Sequence, residues 1–288
     1  MPTPVWSQTG RHVSTLLAPT VPNQLNTMKL KTVRLLAILL LASCAIVSCG
    51  RPDSTAGRDE RDKKVTRERL SRLGQVIGDS HPLPAHYYET KTGKPGLSWR
   101  VSMLGRNLSS ECSKLFMQVA FDEPWDSPQN LALLKSMPEV FRSPRGDAPE
   151  GYTYYRAFIG KHAVISPPAP PANVLASQSF AMVNGHKVIA HSGTPLFVPD
   201  GMARTIFLAE GAEPVPWTKP EELEFDSDKP LPKLGGLYPD GFFALTVNGT
   251  PVFIPSGTNE GTIRALITID GNEEITDRAV VDQLFPKN

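Results

Sequence analysis

The chain has 288 residues, with 30 basic and 29 acidic side chains, 28 prolines and 3 cysteines. Its net charge of +1 provides no basic excess of the kind that nucleic-acid binding needs. Proline makes up about 10% of the chain, roughly twice the usual share, which disfavours long helices and favours strands, turns and extended segments.

The first 49 residues have the pattern of a bacterial export signal that is preceded by an extra segment. Met28–Arg34 is short and positively charged, and Leu35–Val47 is an apolar run of signal-peptide length that is too short to span a membrane. Residues 1–27 show no helical or strand period. We therefore predict that residues 1–27 are an upstream extension, that translation starts at Met28, and that 28–49 is a lipoprotein-type signal peptide.

Two cysteines follow small residues near the end of this apolar run, as in the lipobox of bacterial lipoproteins, where the cysteine sulfur receives a diacylglyceryl group. Cleavage before Cys49 uses the whole apolar core, whereas cleavage before Cys44 leaves only about nine apolar residues. We predict lipid attachment at Cys49, with Cys44 as the alternative; an ordinary cleaved signal or an uncleaved anchor is the competing interpretation. Gly50 carries no acidic retention signal, which favours the outer membrane.

An exported chain that lacks residues 1–49 loses four basic residues and no acidic one. The 26 basic and 29 acidic residues that are left give a net charge of about −3. Cys112 is then the only cysteine after Cys49, so an intramolecular disulfide is excluded. We expect a buried, inert thiol at Cys112, with pairing between chains as the alternative.

Hydrophobic periodicity predicts a polar tether at residues 50–58 followed by a helix over 59–77. Acidic residues near its start suit the helix dipole. The apolar residues that fall near one face are Val65, Leu70, Leu73, Val76 and Ile77.

Strand patterns dominate the remainder of the chain. The predicted strands are 97–103, 152–159, 205–208 and 267–269, with two hairpins at 180–190 and 244–254. Each hairpin has Asn-Gly between apolar runs, which predicts a type I′ turn because both turn residues need positive φ. Short helices are predicted at 128–137, 259–266 and 274–284, and a surface excursion at 219–233. A helix followed by mainly antiparallel strands indicates one α+β domain over 59–288, with an unusual middle at 161–200 and long proline-rich excursions.

Five sequence blocks, in order along the chain, resemble a family of bacterial exported proteins. The blocks are Gly96–Val101, Phe121–Asn130, Met137–Arg142, Val215–Pro220 and Asp228–Gly236. The family is a pseudopilin-like domain-of-unknown-function family with a C-terminal H-x9-DG motif, and the resemblance covers Leu70 to about Ile275. It implies a pseudopilin-like fold, in which an N-terminal helix packs on an antiparallel sheet.

The chain departs from the family pattern at two places. The lipoprotein-type signal replaces the apolar pilin-like helix that family members use, which argues against filament assembly. Tyr238 stands where the motif has histidine, and Asn248-Gly249 replaces Asp-Gly. Tyrosine titrates near pH 10 and asparagine not at all, whereas Asn-Gly serves equally well in a turn. We therefore interpret this degenerate motif as turn chemistry and not as a catalytic pair.

Two pairs of histidines and two oxygen-rich stretches are the candidates for metal sites. His81 and His86, like His186 and His191, are five apart, which suits neither a helical metal pair nor one face of a strand. Two oxygen-rich stretches suggest calcium ligands but lack EF-hand spacing, so a helix cap and a turn are predicted instead. These stretches hold Asp122, Glu123, Asp126 and Asn130, and then Asp226 and Asp228. No metal ligand and no cofactor is predicted.

The nucleophile candidates are Ser80, Ser192 and Cys112, but the G-x-S-x-G elbow is absent, so no catalytic residue is predicted. Trp99 is expected in the core. Trp125 and Trp217 are candidates for a binding surface, or for clamps on extended segments.

These observations predict a non-enzymatic structural or binding module of the cell envelope. Its partners would be the membrane, through a lipidated cysteine, and an envelope protein or polysaccharide; nucleic acid is not expected. Two alternatives are a subunit of a pseudopilin-like secretion or filament apparatus and a secreted hydrolase or metal-dependent enzyme.

Overall fold

A 24-residue helix, α1 (Thr55–Gly78), is the first element of the computed structural model. The structure describes residues 55–78, 87–106, 108–166, 177–183, 186–192 and 198–285. The predictions for residues 1–49, including Cys44 and Cys49, lie outside these residues, as do those for Ser80, His81 and His86.

Helix α1 buries Leu70, Leu73 and Ile77, whose spacing of three and four residues places them on one face, as predicted. Val65 and Val76 are only half-buried. The helix begins at Thr55, so the prediction that the tether extends to residue 58 is wrong. Four residues of that segment are helical, and the acidic residues from Asp59 onward lie beyond the first turn.

The first sheet has four antiparallel strands in the order β2-β1-β5-β4. They are β1 (Tyr87–Glu89), β2 (Pro95–Ser98), β4 (Ser177–Val183) and β5 (His186–Ser192). Val183 pairs with His186 across the two-residue connection at Asn184-Gly185, so this hairpin is confirmed. Its turn residues lie outside the described part of the chain.

The second sheet has five strands in the order β7-β3-β6-β8-β9, antiparallel except for the β3–β7 pair. They are β3 (Tyr152–Ile159), β6 (Ile206–Pro216), β7 (Leu223–Glu224), β8 (Gly241–Thr246) and β9 (Pro251–Pro255). Every residue of β8 is buried, which is typical of a strand that is covered on both faces.

Helices cover both faces of this second sheet. The remaining helices are α2 (Trp99–Leu104), α3 (Ser110–Phe116), α4 (Pro128–Ala132), α5 (Glu260–Ile267) and α6 (Arg278–Leu284), with 3-10 turns at Leu134–Ser136 and Glu139–Phe141. Along β8, Phe243 and Leu245 belong to the same apolar cluster as residues of α1 and α2, whereas Phe242 and Ala244 belong to a second cluster with α5 and α6. This alternation follows from the two-residue period of a strand.

The class is therefore α+β, as predicted, and residues 55–288 form one compact unit. Three element predictions are wrong. Residues 99–103 are not a strand but lie in α2. Every residue of this helix is buried, so the alternation of apolar and polar residues in the sequence did not indicate which residues face the core. Ile267 ends α5 and is not the start of a strand. The predicted surface excursion contains the sheet strand β7, with Glu222, Leu223 and Phe225 buried.

Candidate functional site

The degenerate motif lies beneath α1. Tyr238 is buried, and its hydroxyl shares a hydrogen bond of 2.8 Å with the hydroxyl of Thr66 on α1. Its ring packs edge-on against Phe243 and Phe253, and the guanidinium carbon of Arg145 lies 5.3 Å from the ring centroid. Tyr238 therefore holds the helix against the sheet.

The other half of the motif forms the turn between β8 and β9. The Gly249 N–H donates to the Thr246 carbonyl (2.9 Å), and the Thr246 N–H donates to the Thr250 carbonyl (3.0 Å). Gly249 has φ of +86°, whereas Asn248 is not among the residues with positive φ. This is a three-residue loop with a left-handed glycine at its end, so the predicted turn is present but its predicted type I′ is wrong.

The side chain of Asn248 accepts two hydrogen bonds within the turn. Its Oδ1 accepts from the Thr250 N–H at 3.3 Å and from the Thr246 hydroxyl. Side-chain oxygens of asparagine commonly replace a backbone acceptor in this way. The third loop position, Gly249, then takes the left-handed conformation that a side chain disfavours.

Gly249 also touches α1 through its backbone. A Cβ atom added to Gly249 would lie 2.2 Å from the Gly74 carbonyl oxygen, and one added to Gly74 would lie 2.0 Å from the Gly249 carbonyl oxygen. One turn further along α1, a Cβ on Gly78 would lie 3.0 Å from the Asn248 carbonyl oxygen. Glycine is therefore required on both sides of this helix–turn contact.

A buried acid lies next to the motif tyrosine. Glu210, on β6, is fully buried; its Oε2 accepts from the Phe243 N–H at 2.8 Å, while its Oε1 has no hydrogen-bond partner. Burial raises the pKa of Glu210 to about 8, partly offset by that N–H. The carboxyl is thus mostly protonated at neutral pH.

Two tyrosines share this environment. Burial raises the pKa of Tyr155 and of Tyr238 above their ordinary values, and the charge of Glu210 raises both further. The Tyr155 hydroxyl, like Glu210 Oε1, is buried without a hydrogen-bond partner. We call the group formed by Thr66, Tyr155, Glu210 and Tyr238 the docking cluster.

Sequence reasoning missed Glu210. The strand prediction stopped at Leu208, whereas β6 continues to Pro216, so Glu210 was never placed inside a buried strand. A single acid within the apolar run Ile206–Ala212 was the available signal.

A second buried charge cluster joins two of the family-like blocks. Arg100 and Glu222 are both buried, with Nη2 of the arginine 3.2 Å from Oε1 of the glutamate. Arg100 also donates to the carbonyls of Trp217 (2.8 Å), Tyr155 (3.0 Å) and Lys219 (2.8 Å). We call these residues the Arg100 cluster.

Glu222 is held from the sheet as well. Its Oε2 accepts from the Ala157 N–H of β3 at 2.7 Å. Burial raises the pKa of Glu222 and lowers that of Arg100, and in each case the opposite charge counteracts the effect. Since the guanidinium donates to three carbonyls and a carboxylate of its own chain, the cluster holds the fold together.

The tryptophans divide between core and surface. Trp99 is fully buried, as predicted. Trp217 is fully buried too, with its ring stacked on Phe141 and its Nε1 donating to the Leu133 carbonyl, so its prediction as part of a binding surface is wrong. Trp125 is half-buried, and the Lys219 ammonium lies 5.3 Å from its ring centroid.

The polar side chains of the first oxygen-rich stretch bind other groups of the protein. Asn130 is buried, accepts from the Ala120 N–H and donates to the carbonyls of Ala120, Glu123 and Pro124. Ser127 caps α4 by accepting from the Asn130 N–H. Asp126 is exposed, and the carboxylates of the neighbouring acids pair with Lys91, namely those of Asp122 and Glu123.

The second stretch is a turn, as predicted, in which Asp226 accepts from the Asp228 N–H at 3.0 Å. Among the described residues, no three or more histidine, cysteine, aspartate or glutamate side chains converge as metal ligands. His186, His191 and Ser192 lie on β5.

A groove of about 460 Å³ lies between α1, α3 and the segment that follows α4. Cys112, buried as predicted, forms part of its wall. The other residues that line it are Arg72, Leu108, Ser109, Glu111, Leu115, Gln118, Ser136, Pro138, Glu139 and Val140. The residues that line the groove are partly polar and partly apolar, and they do not form a side-chain pair of the kind that general acid–base catalysis uses.

In the part of the chain that the structure describes, no helix combines the length and the apolar character needed to cross a bilayer. No protein-family model, curated protein or solved structure matches the chain.

Proposed function

We propose that the chain is a lipid-anchored protein of the cell envelope whose α+β domain is a structural or binding module and not an enzyme. The observation that carries the non-enzymatic part is the use of the degenerate motif. Tyr238 binds Thr66 and Gly249 contacts Gly74, so both motif positions dock α1 onto the sheet. A helix that packs along a mainly antiparallel sheet also supports the pseudopilin-like resemblance.

The anchoring rests on the sequence before the domain. A positively charged start, an apolar run of signal-peptide length and small residues before Cys49 form the lipoprotein pattern. The acyl chains on a processed lipoprotein cysteine together give stable membrane binding, where one chain is marginal. The absence of an acidic residue directly after Cys49 supports the outer membrane as the location.

Metabolic labelling with a radioactive fatty acid tests this proposal in cells that express the wild-type chain, Cys49→Ala or Cys44→Ala. We expect label in the wild type and in Cys44→Ala, and its loss in Cys49→Ala. Label that survives in Cys49→Ala but is lost in Cys44→Ala would move the attachment site. An unlabelled wild-type protein would overturn lipid anchoring.

A subunit of a pseudopilin-like apparatus is the second candidate, because α1 packs on β8 and β9 as the resemblance implies. The lipoprotein-type signal in place of an apolar stalk weighs against it. Co-purification of the tagged chain with a pilus-type assembly platform would favour this candidate over the first.

A further inference from the structure

The charged residues of helix α1 differ between the side that faces the domain and the exposed side. It carries seven basic and four acidic residues. Two of the acids, Asp59 and Asp62, are directed to the domain, where both pair with Arg145. On the same side Lys63 pairs with Asp240 at 2.6 Å. Two of the four acidic residues of the helix are therefore neutralised against the domain.

The exposed side of the helix carries more basic than acidic residues. Five basic residues are exposed there, with the acids Glu60 and Glu68 between them, which leaves a net charge of +3. The basic residues are Arg58, Arg61, Lys64, Arg67 and Arg72. Two of them also contact the domain: Arg72 lines the groove described above, and the Arg67 guanidinium carbon lies 5.4 Å from the Phe243 ring centroid. This contrasts with the net charge of about −3 for the chain from Gly50 onward.

Chain length places this face close to the predicted lipid site. Only residues 50–54 separate Cys49 from the start of α1. Six Cα–Cα steps span at most about 20 Å when fully extended. A lipid on Cys49 therefore keeps the start of α1 within about 20 Å of the headgroups. A tether that is less than fully extended brings the first basic residues within one Debye length of about 8–10 Å, where their attraction to anionic lipids is not largely screened.

We propose that the exposed basic face of α1 binds the anionic headgroups of the membrane that the acyl chains of Cys49 enter. This inference rests on the proposed lipid anchoring. Arginine suits phosphate diesters because its guanidinium donates two parallel hydrogen bonds. Basic residues next to a membrane anchor are attracted by anionic lipids, and this attraction weakens with salt.

The test uses the processed, full-length expressed protein, purified in detergent and reconstituted into vesicles of phosphatidylcholine alone or mixed with phosphatidylglycerol. A membrane-impermeant amine reagent modifies exposed lysines, and mass spectrometry quantifies each peptide. Lys64 reports on the face, and Lys229 is the internal reference, because their side chains are similarly exposed at 77% and 74%. We expect several-fold lower modification of Lys64 with phosphatidylglycerol, restored by high salt, and no change at Lys229.

The matched variants carry two charge reversals each. Arg58→Glu with Arg61→Glu removes positive charge from the face, and the helix tolerates acids near its N-terminus. Lys94→Glu with Lys135→Glu makes the same change at exposed positions elsewhere. We expect the first variant to lose the protection of Lys64 and the second to keep it. Circular dichroism checks folding, with Arg58→Gln and Arg61→Gln as the milder replacement.

Equal modification of Lys64 with and without phosphatidylglycerol would overturn the inference. Protection of Lys64 that persists in phosphatidylcholine alone would overturn it too, because such protection indicates a contact with protein. The same mass spectra show the acyl chains on the N-terminal peptide. Their absence would overturn the proposed anchoring, whereas acylated protein with unprotected Lys64 would overturn the basic face alone.

Discussion

The Arg100 cluster and the docking cluster both bury a glutamate beside β3, but they stabilise it in different ways. Glu222 lies against the guanidinium of Arg100 and accepts from the Ala157 N–H. Glu210 has no cation at hydrogen-bond distance, accepts one N–H, and has one oxygen without a partner. Tyr155 belongs to both: its carbonyl accepts from Arg100, and its hydroxyl lies in the docking cluster.

The difference indicates which cluster responds to solution conditions. An arginine keeps its charge at all accessible pH values. The Arg100 cluster therefore holds the segments around residues 100 and 217 together independently of pH. A lone buried carboxyl gains or loses a proton near neutral pH, so the stability that depends on Glu210 changes with pH. Substitutions in either cluster test this contrast.

Removal of the Arg100 side chain has the largest expected effect. Arg100→Met leaves Glu222 as an uncompensated buried charge and removes the donor from three carbonyls, so we expect a loss of about 3–5 kcal/mol in the free energy of unfolding. Urea denaturation measures it. Arg278→Met, at an exposed position, is the control and should stay within about 0.5 kcal/mol. A loss below about 1 kcal/mol for Arg100→Met would show that the Arg100–Glu222 pair contributes little to the stability of the fold.

The helix–turn contact comes next. Gly249→Ala adds a methyl group 2.2 Å from the Gly74 carbonyl oxygen at a φ of +86°. Left-handed strain costs about 1–2 kcal/mol and overpacking about 1–3 kcal/mol, so we expect a loss of about 2–5 kcal/mol.

Gly236→Ala separates the two causes of that loss. Gly236 has φ of +97° but no atom within 4 Å of an added Cβ, so this variant has the backbone strain without the contact. The difference between the two variants in urea denaturation measures the contact with α1. Equal losses would show that Gly249 is needed only for its conformation.

The charge state of Glu210 predicts a pH dependence of stability. Its pKa is about 8 in the folded state and near its ordinary value of 4.5 in the unfolded state. The folded protein therefore binds the proton more tightly, and stability falls as the pH rises from 4.5 through 8. Between pH 6 and pH 8 the loss from this residue is about 2 kcal/mol.

Glu210→Gln should remove that slope, because its amide does not titrate. The measurement is urea denaturation at several pH values across this range. Glu224→Gln, on the exposed part of β7, is the matched control and should keep the wild-type slope. A wild-type slope in the Glu210→Gln protein would show that another group causes the dependence.

Local patterns predicted the elements whose determinants are local. Tyr152–Ile159 was predicted in full, since its aromatic and β-branched residues favour a strand. Leu70, Leu73 and Ile77 identified the buried face of α1 through their spacing. The Asn-Gly pairs located both hairpins.

The groups that make up the site were not predictable in this way, because each depends on a partner far along the chain. Arg100 and Glu222 are 122 positions apart, and Thr66 and Tyr238 are 172 apart. The alternation in 97–103 fitted a strand, but residues 99–103 form α2 instead. Because α2 is buried on all sides, the hydrophobic period of this segment does not distinguish a strand from a helix. For Trp217 the sequence left a binding surface and a clamp on an extended segment as alternatives, because Phe141 and Leu133, which enclose it, lie far earlier in the chain.

The smallest expected effect concerns the motif tyrosine itself. Tyr238→Phe keeps the edge-on ring contacts but removes the hydrogen bond to Thr66, so we expect a loss of about 1 kcal/mol. A double-mutant cycle with Thr66→Val, measured by urea denaturation, isolates the coupling between the two hydroxyls.

A coupling near zero would mean that the ring alone holds the helix. If the coupling is found, the histidine position of the motif and the glycine of its turn both act on α1, eight residues apart on the same helix. The motif then joins the N-terminal helix to the sheet at two points about 12 Å apart along the helix axis. A change at either point loosens the element that lies nearest to the predicted lipid anchor.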